Sequence, residues 1–188
     1  RRLLGSVDLQ NASASVPDTA CISQVARASL AVVPYRPFDG QNCSIARALE
    51  VVGERWTLLI VREVLLGRRR FDDIRRHTGV ATNILSDRLE TLVAHGVLER
   101  DEAGEYRPTE KGRDLTPVLL ALMAWGDRYR AEAGPPRVPV HTACGHDAHP
   151  VLCCSHCGER LEPAEVRMRP GPGADERQRA DGVLPAPR

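Results

Sequence analysis

The side chains best equipped for chemistry crowd into one short run: four of the six cysteines and four of the six histidines fall within residues 141–157. Cys154-x-x-Cys157-Gly158 has the shape of half a zinc knuckle, in which the glycine frees backbone amides to face two thiolates. A tetrahedral Zn²⁺ needs two further soft or borderline donors. Cys144 and His146 are the best second pair, with His141, His149, Cys153 and His156 as competitors. The interval between the pairs is too short for a full zinc ribbon but permits a small knuckle. One structural Zn²⁺ on Cys144, His146, Cys154 and Cys157 is the leading expectation; a Cys154/Cys157 redox dithiol and unligated thiols are the alternatives. Structural disulfides do not suit a reducing compartment. Cys43 stands apart, at the mouth of a helical pattern where unpaired N–H groups and the helix dipole favour a thiolate. Its plainer reading is a small buried hydrophobe. Cys21, in the N-terminal stretch, is a weak candidate for its partner.

A second kind of chemistry, contact with polyanions, is written in residues 70–100. The spacing predicts a helix over Asp72–His77, a break at Thr78-Gly79-Val80, and a second helix from about Thr82 to His95 that stops at Gly96. Leu85, Leu89 and Leu92 recur at i, i+4 and i+7, which buries one face of the second helix. Thr82, Asn83, Ser86 and Asp87 occupy the opposite side near its start, the end that a helix-turn-helix lays in the DNA major groove. Val97–Arg100, a turn at Glu102–Glu105 and Tyr106-Arg107 then make a short β-hairpin, the wing of a winged helix. Two helices precede the pair, Cys43–Gly53 and Glu54–Leu66, with Trp56, Leu59, Ile60 and Val64 roughly on one side of the second. The fold class expected is mainly α with a small β-hairpin: a winged helix-turn-helix, a C-terminal dimerisation helix and a small Cys/His-rich knuckle.

These residues resemble the HxlR-type winged helix-turn-helix transcriptional regulators. The likeness runs from Cys43 to Trp125 and includes Val52-Gly53-Glu54-Arg55-Trp56-Thr57-Leu58-Leu59-Ile60, Arg70-Phe71-Asp72-Asp73-Ile74-Arg75-Arg76, Leu85-Ser86-Asp87-Arg88-Leu89, Gly96-Val97-Leu98-Glu99-Arg100 and Thr109-Glu110-Lys111-Gly112-Arg113. The chain departs from the family at Ala81, where a serine is usual, so capping is expected from Thr82 or Asn83. It also has a shorter wing, with Pro108 in place of a strand residue. The resemblance implies a homodimer on double-stranded DNA carrying a pseudo-palindromic operator. Thr82, Asn83 and Ser86 would reach base edges, while Arg75, Arg76, Arg88 and Arg107 would meet phosphate or groove wall. It implies a dimer interface on Leu115, Val118, Leu119, Leu122, Met123 and Trp125, and makes Cys43 the redox-sensing candidate, since some members sense oxidants or electrophiles at that position. Longer members carry a similar Cys-Gly-His and Cys-x-x-Cys-Gly tail, which does not itself establish a metal.

Composition bounds the rest. The chain has 188 residues and a formal net charge of +1, so it is no polybasic binder and phosphate contact must come from local clustering. Residues 62–88 supply the cluster, with seven arginines against four acids; the competing reading is a solvated face in which these arginines pair with Asp72, Asp73 and Glu63. Arg88 has a similar rival role, an ion pair with Asp87, Glu90 or Glu54. No apolar run approaches the roughly 18 residues that span a membrane, and a cytoplasmic location is expected. No nucleophile motif or phosphate-cradling glycine loop is present, so an enzyme is not expected; a winged-helix module that binds protein instead of DNA is the alternative. Residues 1–40 are expected to be a disordered extension, 41–132 the DNA-binding and dimerisation domain, 133–168 the Cys/His-rich segment and 169–188 a disordered tail. Within the domain, Thr116 is expected to cap a helix with Pro117 in its first turn, unless that helix starts near Thr109 and kinks at Pro117.

Overall fold

The computed structural model describes residue 38 and residues 40–185; Cys21 and residues 1–37 lie outside them. Four helices come first, α1 (Ser44–Val52), α2 (Thr57–Leu65), α3 (Phe71–Thr78) and α4 (Thr82–Ala94). An antiparallel hairpin of β1 (Leu98–Arg100) and β2 (Tyr106–Pro108) follows, with Leu98 opposite Pro108 and Arg100 opposite Tyr106. Next come α5 (Glu110–Arg113) and α6 (Thr116–Arg130), then the two-residue strands β3 (Val140–His141) and β4 (His146–Asp147), a 3-10 turn at Pro163–Glu165, and α7 (Glu176–Asp181).

One apolar core holds the first half together. Ile60, Val61 and Val64 from α2, Ile74 from α3, and Leu85, Leu89 and Leu92 from α4 meet Val97, Leu98 and Tyr106 of the wing. Each fully buried leucine contributes about 2 kcal/mol over its exposed state. The 3.6-residue spacing of the α4 leucines therefore fixes which face of that helix is turned inward. The α2 expectation needs correcting: Val61 is fully buried while Leu59 is only half-buried, because Thr57, Ile60, Val61 and Val64 make the i, i+3, i+4, i+7 arc that faces the core and Leu59 falls outside it.

The end of α4 is built by hydrogen bonds that the sequence signals only through Gly96. With φ +65° there, the Gly96 amide donates to the Val93 carbonyl and the Val97 amide to that of Leu92. This is a Schellman closure, which needs the left-handed residue that glycine supplies. Thr109 donates its hydroxyl to the Gly96 carbonyl at 2.7 Å, and the Lys111 ammonium reaches the His95 carbonyl at 2.8 Å, at the negative end of the helix dipole. Thr109 also accepts from the Gly112 amide and so caps α5. Thr109-Glu110-Lys111-Gly112 is thus the clasp between the end of α4 and the wing.

Three further expectations change. The N-cap of α4 is Ala81 itself, with no side-chain cap; Thr82 and Asn83 are already inside the helix, so neither can cap it. Thr116 likewise does not cap α6: Leu115 is the N-cap, Pro117 sits in the first turn, and the Thr109 helix is the separate α5. The tail is not featureless. Asp175 and Gln178 form a capping box on α7, and Asn42 donates to the Gly173 carbonyl and to Gln178 Oε1 while the Gln178 amide returns a bond to the Asn42 carbonyl at 2.6 Å. Among the described residues no helix is long and apolar enough to cross a membrane.

Candidate nucleic-acid interface

Helix α3, the turn at Gly79 (φ +69°) and α4 form the helix-turn-helix. The buried leucines of α4 leave Thr82 and Asn83 exposed at its head, with Ser86 half-buried a turn further on. Without a side-chain cap, the first amides of α4 also keep free hydrogen-bonding capacity toward an anion. The wing docks beside this unit through the Tyr106 amide, which donates to the Arg69 carbonyl at 2.8 Å.

The arginines divide by partner. Arg62 and Arg68 both grip Glu63, a carboxylate buried to 4 % exposure, the second at 3.0 Å, so these two hold the fold rather than offer free charge. Arg75 lies 3.7 Å from Asp72 and Arg76 3.0 Å from Asp73, each one helical turn apart on α3, as the solvated-face reading expects. Such exposed pairs contribute about 0–1 kcal/mol and yield readily to a phosphate. Arg107 is more firmly engaged, 2.9 Å from Asp101 and 3.4 Å from Glu105. Asp101 also accepts from the Glu105 amide, so one carboxylate organises both the wing turn and its arginine. None of the ion pairs among the described residues involves Arg88, whose expected partners Asp87, Glu90 and Glu54 leave it alone.

Helix α6 splits the expected interface residues in two. Leu115 and Leu119 pack partly against the domain's own core and Met123 is half-buried. Val118, Leu122, Trp125 and Tyr129 instead form a stripe at i, i+4, i+7 and i+11 that is 48–58 % exposed, with the Trp125 and Tyr129 rings 5.4 Å apart. On α1, Ile45 and Leu49 are exposed as well.

The cysteines are all free thiols among the described residues. Cys43 is the half-buried N-cap residue of α1 and makes no side-chain cap bond. In the C-terminal segment the structure gathers two pairs. His141 Nδ1 lies 3.2 Å from Cys144 Sγ, so the histidine beside Cys144 is His141 and not the expected His146, which stands across the strand pair. The sulfur of Cys154 receives the amides of Cys157 and His156 and the thiol of Cys157, which together hold it below the ordinary thiol range. Among the described residues no three His, Cys, Asp or Glu side chains come together as a metal site, so the expected foursome is not assembled in this structure.

A helix-turn-helix with a docked wing and an open recognition-helix head defines a winged-helix DNA-binding protein. The chain belongs to the HxlR-like helix-turn-helix family, whose pattern it matches over residues 51–133. It is 48 % identical over 144 residues to the uncharacterized HTH-type transcriptional regulator Rv3095 of Mycobacterium tuberculosis, covering 72 % of this chain and 89 % of that one. It is also similar to two solved structures of candidate transcription factors. PA1607 gives a TM-score of 0.62 at 36 % identity, over 69 % of this chain and 95 % of that one. PA1374 from Pseudomonas aeruginosa gives 0.54 at 38 %, over 74 % and 99 %. The protein is a DNA-binding transcriptional regulator.

Proposed function

We propose that the chain acts as a homodimer on a pseudo-palindromic operator, each protomer laying the head of α4 in the major groove of one half-site. The half-sites then lie about one helical turn, roughly 34 Å, apart. The observation that carries this reading is the exposed pair Thr82 and Asn83 at the start of a helix whose opposite face is fully buried. Thr82, Asn83 and Ser86 read base edges, and Arg88, Arg75 and Arg76 meet phosphate. Arg107 contributes least, because it would have to leave two carboxylates to do so. Dimer formation is supported by the exposed Val118, Leu122, Trp125 and Tyr129 stripe, which a two-fold axis would lay against its own copy.

The test is selection of sites from randomised duplexes, followed by fluorescence anisotropy with variants. Asn83→Ala should relax preference at one base position by about 1–3 kcal/mol and leave non-specific affinity intact. If it weakens every sequence equally, α4 does not read bases through that side chain. Arg88→Ala should instead weaken all duplexes and flatten the slope of log K against log salt by about one unit. Arg76→Ala should lower affinity for all duplexes further than Arg88→Ala, since it also frees Asp73 to face phosphate. Equal losses for the two would place Asp73 away from the backbone.

Cys43 is the thiol we assign to an oxidant response. Its position supports this: it starts α1, the helix that carries the exposed Ile45 and Leu49. Hydrogen peroxide would pass one oxygen to the Cys43 thiolate, giving a sulfenate and water. A polar group would then stand at the head of that apolar surface. Cys43→Ser should retain DNA binding and lose peroxide-driven release in a mobility-shift assay. An unchanged response would return Cys43 to a packing role.

A further inference from the structure

The two donor pairs of the C-terminal segment sit in two copies of one backbone device, thirteen residues apart. In the first, Val140 pairs with Asp147, the Gly145 amide donates to the His141 carbonyl at 2.7 Å, and the Ala148 amide to that of Pro139 at 2.8 Å. In the second, Cys153 pairs with Arg160, the Gly158 amide donates to the Cys154 carbonyl at 2.8 Å, and the Leu161 amide to that of Leu152 at 2.8 Å. The glycines match as well, with φ +72° at Gly145 and +77° at Gly158. His141-x-x-Cys144-Gly145 and Cys154-x-x-Cys157-Gly158 are therefore the same knuckle, each offering donors at its first and fourth positions.

We propose that these knuckles are the two halves of one tetrahedral zinc site, with His141, Cys144, Cys154 and Cys157 as its ligands. Nitrogen and sulfur ligands at ordinary Zn–N and Zn–S lengths span a tetrahedral edge of about 3.5 Å. The 3.2 Å between His141 Nδ1 and Cys144 Sγ is close to that edge already. The repeat also argues against His146, Cys153 and His156 as ligands. His146 corresponds to Glu159 and Cys153 to Val140, both on strand positions, and His156 corresponds to Ala143 inside the knuckle turn. Residues 149–151 between the copies reach at most about 11 Å when extended, which keeps the two knuckles adjacent.

The energetic need for a cation is visible in burial. From residue 133 to residue 185 no side chain is buried, and Val151, Leu152, Val138 and Val140 are 45–67 % exposed. A segment of this size without an apolar core requires a metal, disulfides or a partner to fix it. Its thiols are free, and the pairs stand apart in this structure. Bringing them onto one cation supplies the missing cross-link. Binding releases three thiol protons to solvent, takes His141 as neutral imidazole, and leaves a site of charge −1.

The test is titration of the chelator-stripped, reduced full chain with Co²⁺ and then Zn²⁺. The expected result is one equivalent of Co²⁺ with the intense visible bands of tetrahedral coordination and a thiolate charge-transfer band. Zn²⁺ should then displace it, and amide-exchange protection should appear across residues 139–161. His141→Ala and Cys157→Ser should weaken Co²⁺ by more than the roughly 10–100-fold that loss of a ligand's supporting partner costs. His146→Ala and Cys153→Ser should change it little. Absence of Co²⁺ uptake by the wild-type chain, an octahedral spectrum, or a His146→Ala loss with His141→Ala intact would overturn the assignment.

Discussion

Leu122→Glu is expected to split the proposed homodimer and lower operator affinity by at least about 100-fold, the loss that follows when two linked half-site contacts become independent. Leu122 is 52 % exposed in the single chain and lies mid-stripe between Val118 and Trp125. Two-fold symmetry sets the new carboxylates against the partner's copy of the same surface, so each must lose water without a cation to meet. Leu119→Glu would be a poorer probe, because Leu119 packs partly against its own domain's core and the substitution would unsettle the fold as well. Sedimentation should show a monomer for Leu122→Glu, with the helical circular dichroism of the winged helix retained. An unchanged dimer would move the interface away from α6.

Gly112→Ala should cost about 3 kcal/mol or more, at the upper end of what overpacking imposes. A Cβ at Gly112 would lie 2.2 Å from the Val97 carbonyl oxygen and 3.3 Å from its carbon. These are backbone atoms of the segment that joins α4 to the wing, so no side-chain rotation relieves the contact. Gly112 is buried, and its own amide is bound to Thr109 Oγ1. Relief requires α5 to move off Val97, and that takes Thr109 and Lys111 from the carbonyls that end α4. Urea denaturation should show the loss as a lower midpoint at unchanged slope. A midpoint equal to that of the wild-type chain would mean the α5 clasp is loose in solution.

The helix-turn-helix was legible because its signals are local. Leu85, Leu89 and Leu92 set the inward face of α4, and Gly79 and Gly96 mark left-handed turns on either side of that helix. What could not be read depends on partners distant in sequence. The start of α4 near Thr82 was legible but its cap was not, because Ala81 offers no capping atom. The α6 stripe is one apolar band in the sequence. Only the packing of α6 beside α2 separates Leu115 and Leu119, which face the core, from Val118, Leu122, Trp125 and Tyr129, which do not. The bond between Asn42 and Gln178 joins residues 136 positions apart and leaves no periodic trace. His141 was obscured for another reason: Cys144-Gly145-His146 draws the eye to the histidine after the glycine, whereas the turn places the residue three before Cys144 beside its sulfur.

The most direct measurement of operator reading is competition between a selected operator duplex and a scrambled duplex of equal length, at several salt concentrations. Reading by α4 predicts at least about a 10³-fold preference for the operator near physiological salt. It also predicts a preference that falls when Asn83 is replaced and affinities for both duplexes that decline as salt rises. Equal, salt-insensitive affinity for operator and scrambled DNA would contradict it.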